Sequence, residues 1–312
     1  MDDNDFTLDV SIIIVNYNTK NLLSDCLKSI YEQTKNLDFE VIVSDNGSSD
    51  GSIEMLKTDF PQVILIENNA NLGFGAANNR GQSIAKGKYI FYLNSDTILL
   101  NNAVKSFFDY WENSNDKIGA LGCNLLNKNN ETVHSYDKNL FTIDGYFSKL
   151  IHLVYGTYKL SLLHLVLRKK IPDFTDDSRQ ERFVGEVKQI IGADLFLKND
   201  DGARFDENFF MYKEETELEY RLIQSGKSLF IIDGPQIIHL EGGSQGAKKI
   251  NLVQRSGSFN VVQTKISELY YFKKYKVPAY KLFFIKLLNL ILWCNPMIFA
   301  STRRFIPKML AV

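Results

Sequence analysis

Tyr89-Ile90-Phe91-Tyr92-Leu93-Asn94-Ser95-Asp96 is an apolar run that stops at a short polar turn closed by a carboxylate. The segment from Tyr89 to Leu93 is short for a helix and carries three aromatics, so it reads as a strand buried on both faces. In open α/β sheets, ligands bind outside the carboxyl ends of such strands. Asp96 falls at that edge and offers the hard oxygen ligands that suit Mg²⁺ or Mn²⁺ bridging a diphosphate. The plainer reading is a turn aspartate capping a helix that begins near Asn101. The rest of the chain decides between the two.

Upstream, Val10 to Val15 is a β-branched run, followed by an Asn16-Tyr17-Asn18-Thr19 turn and a stretch in which Leu22, Leu23, Cys26, Leu27 and Ile30 keep helical spacing. The pattern recurs with a strand at 39–43, a polar loop, a short helix at 53–57 and a strand at 63–66. A glycine-rich turn then leads into a helix reaching about Lys86. Strands alternating with helices at this spacing predict a parallel, doubly wound sheet with right-handed crossovers, an architecture that binds nucleotides. Further strands are expected at 118–121, 189–197, 228–232 and 236–240, with a helical insertion over 146–168.

At 312 residues and 45% hydrophobic content, the chain can bury a full core. The formal charge is only -1, but residues 265–312 hold nine Lys/Arg against the single acid Glu268, so the rest of the chain is acidic. Nothing in this distribution calls for a nucleic-acid partner. Cys26, Cys123 and Cys294 are far apart and show no zinc or disulfide spacing, which fits a reducing cytosolic setting. The acidic start Met1-Asp2-Asp3-Asn4-Asp5 lacks the charge of a secretory signal.

Three loops carry chemistry. Asp45 follows a strand and opens Asn46-Gly47-Ser48-Ser49-Asp50-Gly51-Ser52, whose small residues permit close approach by a ligand; Asp50 is expected to cap the next helix. Asn71-Leu72-Gly73-Phe74-Gly75-Ala76-Ala77-Asn78-Asn79-Arg80-Gly81 looks like a phosphate-cradling turn, but it has Asn78 where a dinucleotide fingerprint has its third glycine, which disfavours a dehydrogenase. Residues 206–221 are rich in acids that suit a helix N-terminus or, for one of them, a general base. His239 ends a strand and is either a core histidine or a metal ligand.

Taken in order over residues 10–245, these motifs resemble the inverting, metal-dependent glycosyltransferases of family 2. The resemblance implies a GT-A fold: an α/β nucleotide-binding domain with a mainly parallel central sheet flanked by helices, plus a C-terminal helical extension. It implies donor contacts from Asn16, Tyr17, Asn18, Asp45, Gly73, Asn78, Asn94, Ser95 and Asp96. Asn94-Ser95-Asp96 stands where the family has an Asp-x-Asp metal motif, with Asn94 in place of the first aspartate as in the rhamnosyltransferase-like branch. Asp96 is then left with most of the metal binding, helped by His239. Gly192, Ala193 and Asp194 resemble the acceptor-side turn, with Glu214 beside it. Phe210 to Leu218 looks like the Glu-Asp-x-Asp segment, with Glu215 as base although an aspartate is usual there.

The implied reaction is a single inverting displacement from a nucleotide-sugar donor to a saccharide or lipid-linked saccharide acceptor, with Mg²⁺ or Mn²⁺, in cell-surface polysaccharide synthesis. The branch points to dTDP-rhamnose, with UDP-hexoses as the alternative. The catalytic domain is expected over residues 1–264, with a nucleotide half at 8–125 and an acceptor half at 126–264. Residues 265–312 form a basic, apolar tail whose longest charge-free stretch is the 16 residues from Leu287 to Thr302. A spanning helix needs about 20 apolar residues. The tail therefore reads as interfacial helices on an anionic membrane surface, placing the protein in the cytoplasm, peripheral on the inner face of the membrane, or as ordinary packed helices. Competing functions are a sugar-nucleotide pyrophosphorylase, which would carry a basic glycine-rich loop after the first strand, and a noncatalytic binding subunit.

Overall fold

In the computed structural model, which describes residues 6–114, 117–167, 180–240, 259–294 and 306–311, the first β-branched run forms β1 (Leu8–Asn16). It pairs in parallel with β2 (Phe39–Asp45) and β4 (Gly87–Leu93), and β3 (Ile64–Glu67) adds in parallel to β2. Their side chains alternate between two buried layers. Tyr89, Phe91 and Leu93 join a core with Ile12 and Ile14 on one face, while Ile90 and Tyr92 join Ile13 on the other. Each fully buried Phe or Leu contributes about 1.5–3 kcal/mol, so this double-sided pattern fixes the register. Helices α1 (Lys20–Gln33), α2 (Ser52–Asp59) and α3 (Phe74–Gln82) occupy the crossovers. The third ends four residues before the expected Lys86, since Gly87 N must donate to Ser11 Oγ (2.8 Å) as β4 begins.

The register lines up the carboxyl ends. Asn16 pairs with Asp45, Asp45 with Glu67, and Ile13 with Tyr92, which carries Asn16 level with Ser95. Two strands then alter the expected parallel sheet. The predicted strand over 189–197 is split by the turn at Gly192: Gln189–Ile190 (β9) pairs with Tyr136–Asp137 (β7), whereas Asp194–Lys198 (β10) inserts antiparallel between β4 and Ile118–Cys123 (β6). The sheet order is β3-β2-β1-β4-β10-β6-β11-β8, with Ser228–Ile232 (β11) parallel to β6 and Gly185–Val187 (β8) antiparallel at the edge. The sheet is thus parallel through its first half and mixed beyond.

A short strand lies between Asp96 and the next helix. Thr97–Leu99 (β5) pairs antiparallel with Ile237–His239 (β12), His239 opposite Thr97. Helix α4 (Ala103–Asn113) starts only afterwards, with Asn102 at its cap position, so Asp96 does not cap it. Asp50 does serve helix starts: it accepts from the Ser52 amide (3.1 Å) at the head of α2 and from the Lys20 amide (2.8 Å) at the head of α1.

The chain divides into two compact units, Met1–Leu140 with Ser178–Phe210 and Glu214–Ala247, and Phe141–Asp177 with Met211–Lys213 and Lys248–Val312. This differs from a division at residue 264. The first unit holds the sheet and α6 (Glu214–Gln224). The second joins α5 (Ile143–Leu167), the expected insertion, to the tail helices α7 (Phe259–Lys274), α8 (Ala279–Trp293) and α9 (Ile306–Ala311). Its aromatic core stacks Phe141 on Phe272 (5.1 Å) beside Tyr146. Among the described residues, no helix is long and apolar enough to cross a membrane. The expected charge-free stretch from Leu287 to Thr302 extends past α8 beyond the described residues.

Candidate active site

Asp45 is a buried anchor. Its Oδ1 accepts from the amides of Gly47 (3.0 Å) and Ser48 (2.8 Å), and its Oδ2 accepts from Asn16 Nδ2 (2.7 Å). Asp45 and Asn16 are both 0% exposed, so they shape the nucleotide-side loop from beneath and offer no surface to a base. What that loop presents is Tyr17, 46% exposed, next to Asn18, whose side-chain oxygen accepts from the Ser49 amide (2.8 Å). Gly73 is equally structural. Its φ of +87° favours glycine, and a Cβ there would lie 2.1 Å from the Phe210 carbonyl oxygen, so glycine lets the α3 turn close on the segment leading to α6. Asn78 is buried inside α3.

Four residues outside the expected set of donor contacts, Thr19, Ser48, Asn46 and Asn68, tie these loops together. Thr19 Oγ1 donates to Asn16 Oδ1 (2.6 Å) and lies 3.0 Å from Ser95 Oγ, so a hydrogen-bonded chain runs from Asp45 to the metal-motif turn. Ser48 Oγ accepts from Asn16 Nδ2 (3.0 Å), and Asn46 and Asn68 bond one another (3.0 Å) under the Gly73 turn. The available signal was polar residues clustered directly after strands.

Asn94-Ser95-Asp96 is clamped on both sides. The Asn94 amide donates to the Ala193 carbonyl (3.0 Å), and Thr97 Oγ1 donates to the Asn94 carbonyl (2.8 Å). The β5–β12 ribbon brings His239 Nε2 to 3.3 Å from Asp96 Oδ1, with side chains 12% and 16% exposed. The side-chain Nδ2 of Asn94 lies 3.5 Å from the same nitrogen. No cluster of three His, Cys, Asp or Glu ligands exists among the described residues. A carboxylate and an imidazole on one side still suit a divalent ion whose other ligands are diphosphate oxygens and water.

In the turn expected to meet the acceptor, Gly192 is half-buried while Ala193 and Asp194 are fully buried, which withdraws those two from such contact. A Cβ at Gly192 would sit 3.4 Å from Glu215 Cβ. The acids of α6 sort by burial. Glu214 is buried, with its Cβ 3.7 Å from a Cβ built on Gly75, which removes it from acceptor contact too. Glu217 binds Arg221 Nε through both oxygens (3.0 and 3.1 Å), and Glu219 Oε1 accepts from the Ile190 amide (2.8 Å). Of the four, Glu215 alone is more than marginally exposed.

Burial pushes Cys26 up to about 12 and Cys123 well above its ordinary value, so neither supplies a thiolate. Burial also raises Asp194 to about 7, against the hydrogen bond from the Cys123 amide (2.7 Å) and the attraction of His239. Between its unfolded value of 3.8 and about 7, the folded chain holds a proton that the unfolded chain lacks, so this group makes stability fall as pH rises. In urea unfolding with a chelator present, Asp194→Asn should therefore gain on wild type by on the order of a few kcal/mol between about pH 4 and pH 7, with acceptor KM unchanged. A pH-independent difference would remove this assignment.

The model of Glycosyl transferase family 2 matches residues 11–167, half of the chain. The poly(ribitol-phosphate) beta-glucosyltransferase of Bacillus spizizenii is 36% identical over 167 residues, 52% of this chain and 26% of that protein. The glycosyltransferase GlyG of Streptococcus pneumoniae is 24% identical over 266 residues, covering 83% of this chain and 80% of the relative. A solved mannosyltransferase from Pyrobaculum calidifontis, in complex with GDP-Man and Mn²⁺, superposes with a TM-score of 0.50 at 14% identity, over 99% of this chain and 78% of the other. The likeness to that structure shows the fold, a GT-A type α/β architecture.

Proposed function

The chain belongs to glycosyltransferase family 2, and from that premise we propose that it is an inverting, metal-dependent transferase moving rhamnose from dTDP-rhamnose to a saccharide or lipid-linked saccharide acceptor in cell-surface polysaccharide synthesis. Membership removes the pyrophosphorylase alternative. The observation that carries the reading is the position of Glu215, the least buried of the four acids of α6, beside Gly192 and one strand from the Asn94-Ser95-Asp96 turn.

The acceptor hydroxyl gives its proton to the Glu215 carboxylate as its oxygen bonds the anomeric carbon, while the bond from that carbon to the nucleoside diphosphate breaks. Inversion follows from a single displacement, with no covalent intermediate. Asp96 and His239 are the residues that would hold the divalent ion, which when bound supplies positive charge against the departing diphosphate. An imidazole in the set favours Mn²⁺ over Mg²⁺. The Tyr17 ring provides a face on which the base stacks, and the Asp45–Asn16–Thr19–Ser95 chain keeps that loop in step with the metal turn. The Asn94 variant of the motif supports rhamnose as donor. The basic tail helices extend the reading to a cytoplasmic protein peripheral on an anionic membrane surface.

A thermal-shift screen of nucleotide sugars with Mn²⁺ tests the donor. A true donor at a hundred times its Kd stabilises the fold by about 2.7 kcal/mol, a rise of several degrees in Tm. The largest rise is expected with dTDP-rhamnose; a rise with a UDP-hexose and none with dTDP-rhamnose would overturn the rhamnosyl assignment.

A further inference from the structure

We propose that α5 and α8 together form a single docking face for an anionic lipid bilayer. The inference deepens the membrane contact above, and rests on the transferase reading only in that a lipid-linked acceptor is met at such a surface.

Helix α8 is apolar on two sides. Ile285, Asn289, Leu292 and Trp293 are buried. Tyr280 (61% exposed), Phe283 (62%), Phe284, Leu287 and Ile291 stand in solvent, at spacings i, i+3, i+4, i+7 and i+11 that make one continuous stripe. Isolated exposed apolar residues need no explanation, but a stripe running the length of a helix does. Helix α5 carries a second one, with Ile151, Tyr155 and Tyr158 exposed at i, i+4 and i+7. The two meet where Tyr158 Oη donates to the Ile291 carbonyl (2.9 Å).

Charge selects the occupant. Lys273 and Lys274 end α7, Lys276 follows, and Lys281 and Lys286 lie on α8. The acids of α5, α7 and α8 are Asp144, paired with Lys281 (2.7 Å), and Glu268, buried and paired with Lys265 (2.8 Å), so the net charge of these helices stays positive. A cleft of about 310 Å³ between these helices has Leu269, Ala279, Leu282 and Phe283 along its walls with Lys273 and Lys286 beside them, a combination suited to an acyl chain below a phosphate headgroup. A second copy of the chain would set lysines against lysines; an anionic bilayer accepts both the stripe and the cations. Tyrosines fit the headgroup level. The 15 residues of α8 extend about 22 Å, short of the ~30 Å hydrocarbon core, so the helix lies in the interface.

Flotation of the full chain with vesicles of phosphatidylcholine, alone or mixed with phosphatidylglycerol, tests this. Wild type should float with the anionic vesicles only, and less as salt rises. The α8 set Tyr280→Ser/Phe283→Ser/Leu287→Ser and the α5 set Ile151→Ser/Tyr155→Ser should each weaken binding by roughly tenfold or more, with Tm unchanged because all five residues are exposed. Undiminished flotation by either set, equal binding to neutral vesicles, or a wild-type dimer that the α8 set splits would overturn the proposal. Transfer to a soluble saccharide acceptor is assayed in parallel: variants that stop floating but still transfer separate docking from catalysis, and a chain that floats without ever transferring keeps the docking face while removing the transferase reading.

Discussion

Glu215→Gln should lower the transfer rate by about 10²–10⁴-fold while leaving donor affinity and Tm near wild type. The size follows from removing the proton acceptor for the attacking hydroxyl while keeping the side chain's length and polarity. The selectivity follows from the surroundings: Glu214 is buried beside Gly75, Glu217 is held by Arg221, and Glu219 is held by the Ile190 amide. Glu217 and Glu219 cannot take over the proton without giving up these contacts, and burial shields Glu214 from the acceptor. Glu217→Gln should accordingly affect stability more than rate, since it leaves the Arg221 guanidinium without a carboxylate. Single-turnover transfer with saturating donor separates the cases, and a Glu215→Gln enzyme retaining most of its rate would strip Glu215 of its role.

The sheet's first half was legible because physics wrote it twice, in β-branched or aromatic composition and in burial on both faces, as at Ile12, Ile13 and Ile14. The antiparallel insertion of β10 was not, since pairing between Asp194–Lys198 and β4 is a long-range choice that leaves no local periodicity. Gln189 to Leu197 reads as one run by composition, and the Gly192-Ala193-Asp194 turn was the sign of the break. The second unit draws on three stretches far apart in sequence, 141–177, 211–213 and 248–312, so none predicts the others.

The candidate site was legible in outline and not in orientation. Sequence marks Asp45, Asn16 and Asp194 as polar residues at strand ends, but a carboxylate aimed at a ligand and one satisfied by backbone amides have the same letter. Here Gly47, Ser48 and Asn16 satisfy Asp45 from within the protein. Likewise, four glutamates in α6 are equivalent until burial ranks them, although the Glu217–Arg221 spacing of four was a readable sign of a pair. His239 could be read only as ligand or core histidine; its place beside Asp96 depends on the short β5–β12 ribbon, whose strands are too brief to carry a pattern.

Asp96→Ala should abolish measurable transfer and, separately, remove the metal dependence of nucleotide binding. Electrostatic stabilisation of a leaving diphosphate is worth several kcal/mol, on the order of 10³-fold or more in rate. Asp96 is the only carboxylate in the turn, with Asn94 unable to supply a second negative charge. The fold should survive, because the contact from the Leu240 amide goes to the Asp96 backbone carbonyl (2.9 Å) and persists in any variant. His239→Ala then divides two meanings of the 3.3 Å contact. If the pair exists to hold a cation, Mn²⁺ affinity measured with the nucleoside diphosphate falls while Tm without metal stays or rises, since loss of the imidazole frees Asp96 to water. If the pair is an ion pair that merely ties β12 to the turn, Mn²⁺ affinity is unchanged and metal-free Tm falls. Full transfer activity in Asp96→Ala would end the metal-diphosphate reading of this turn whichever way His239 behaves.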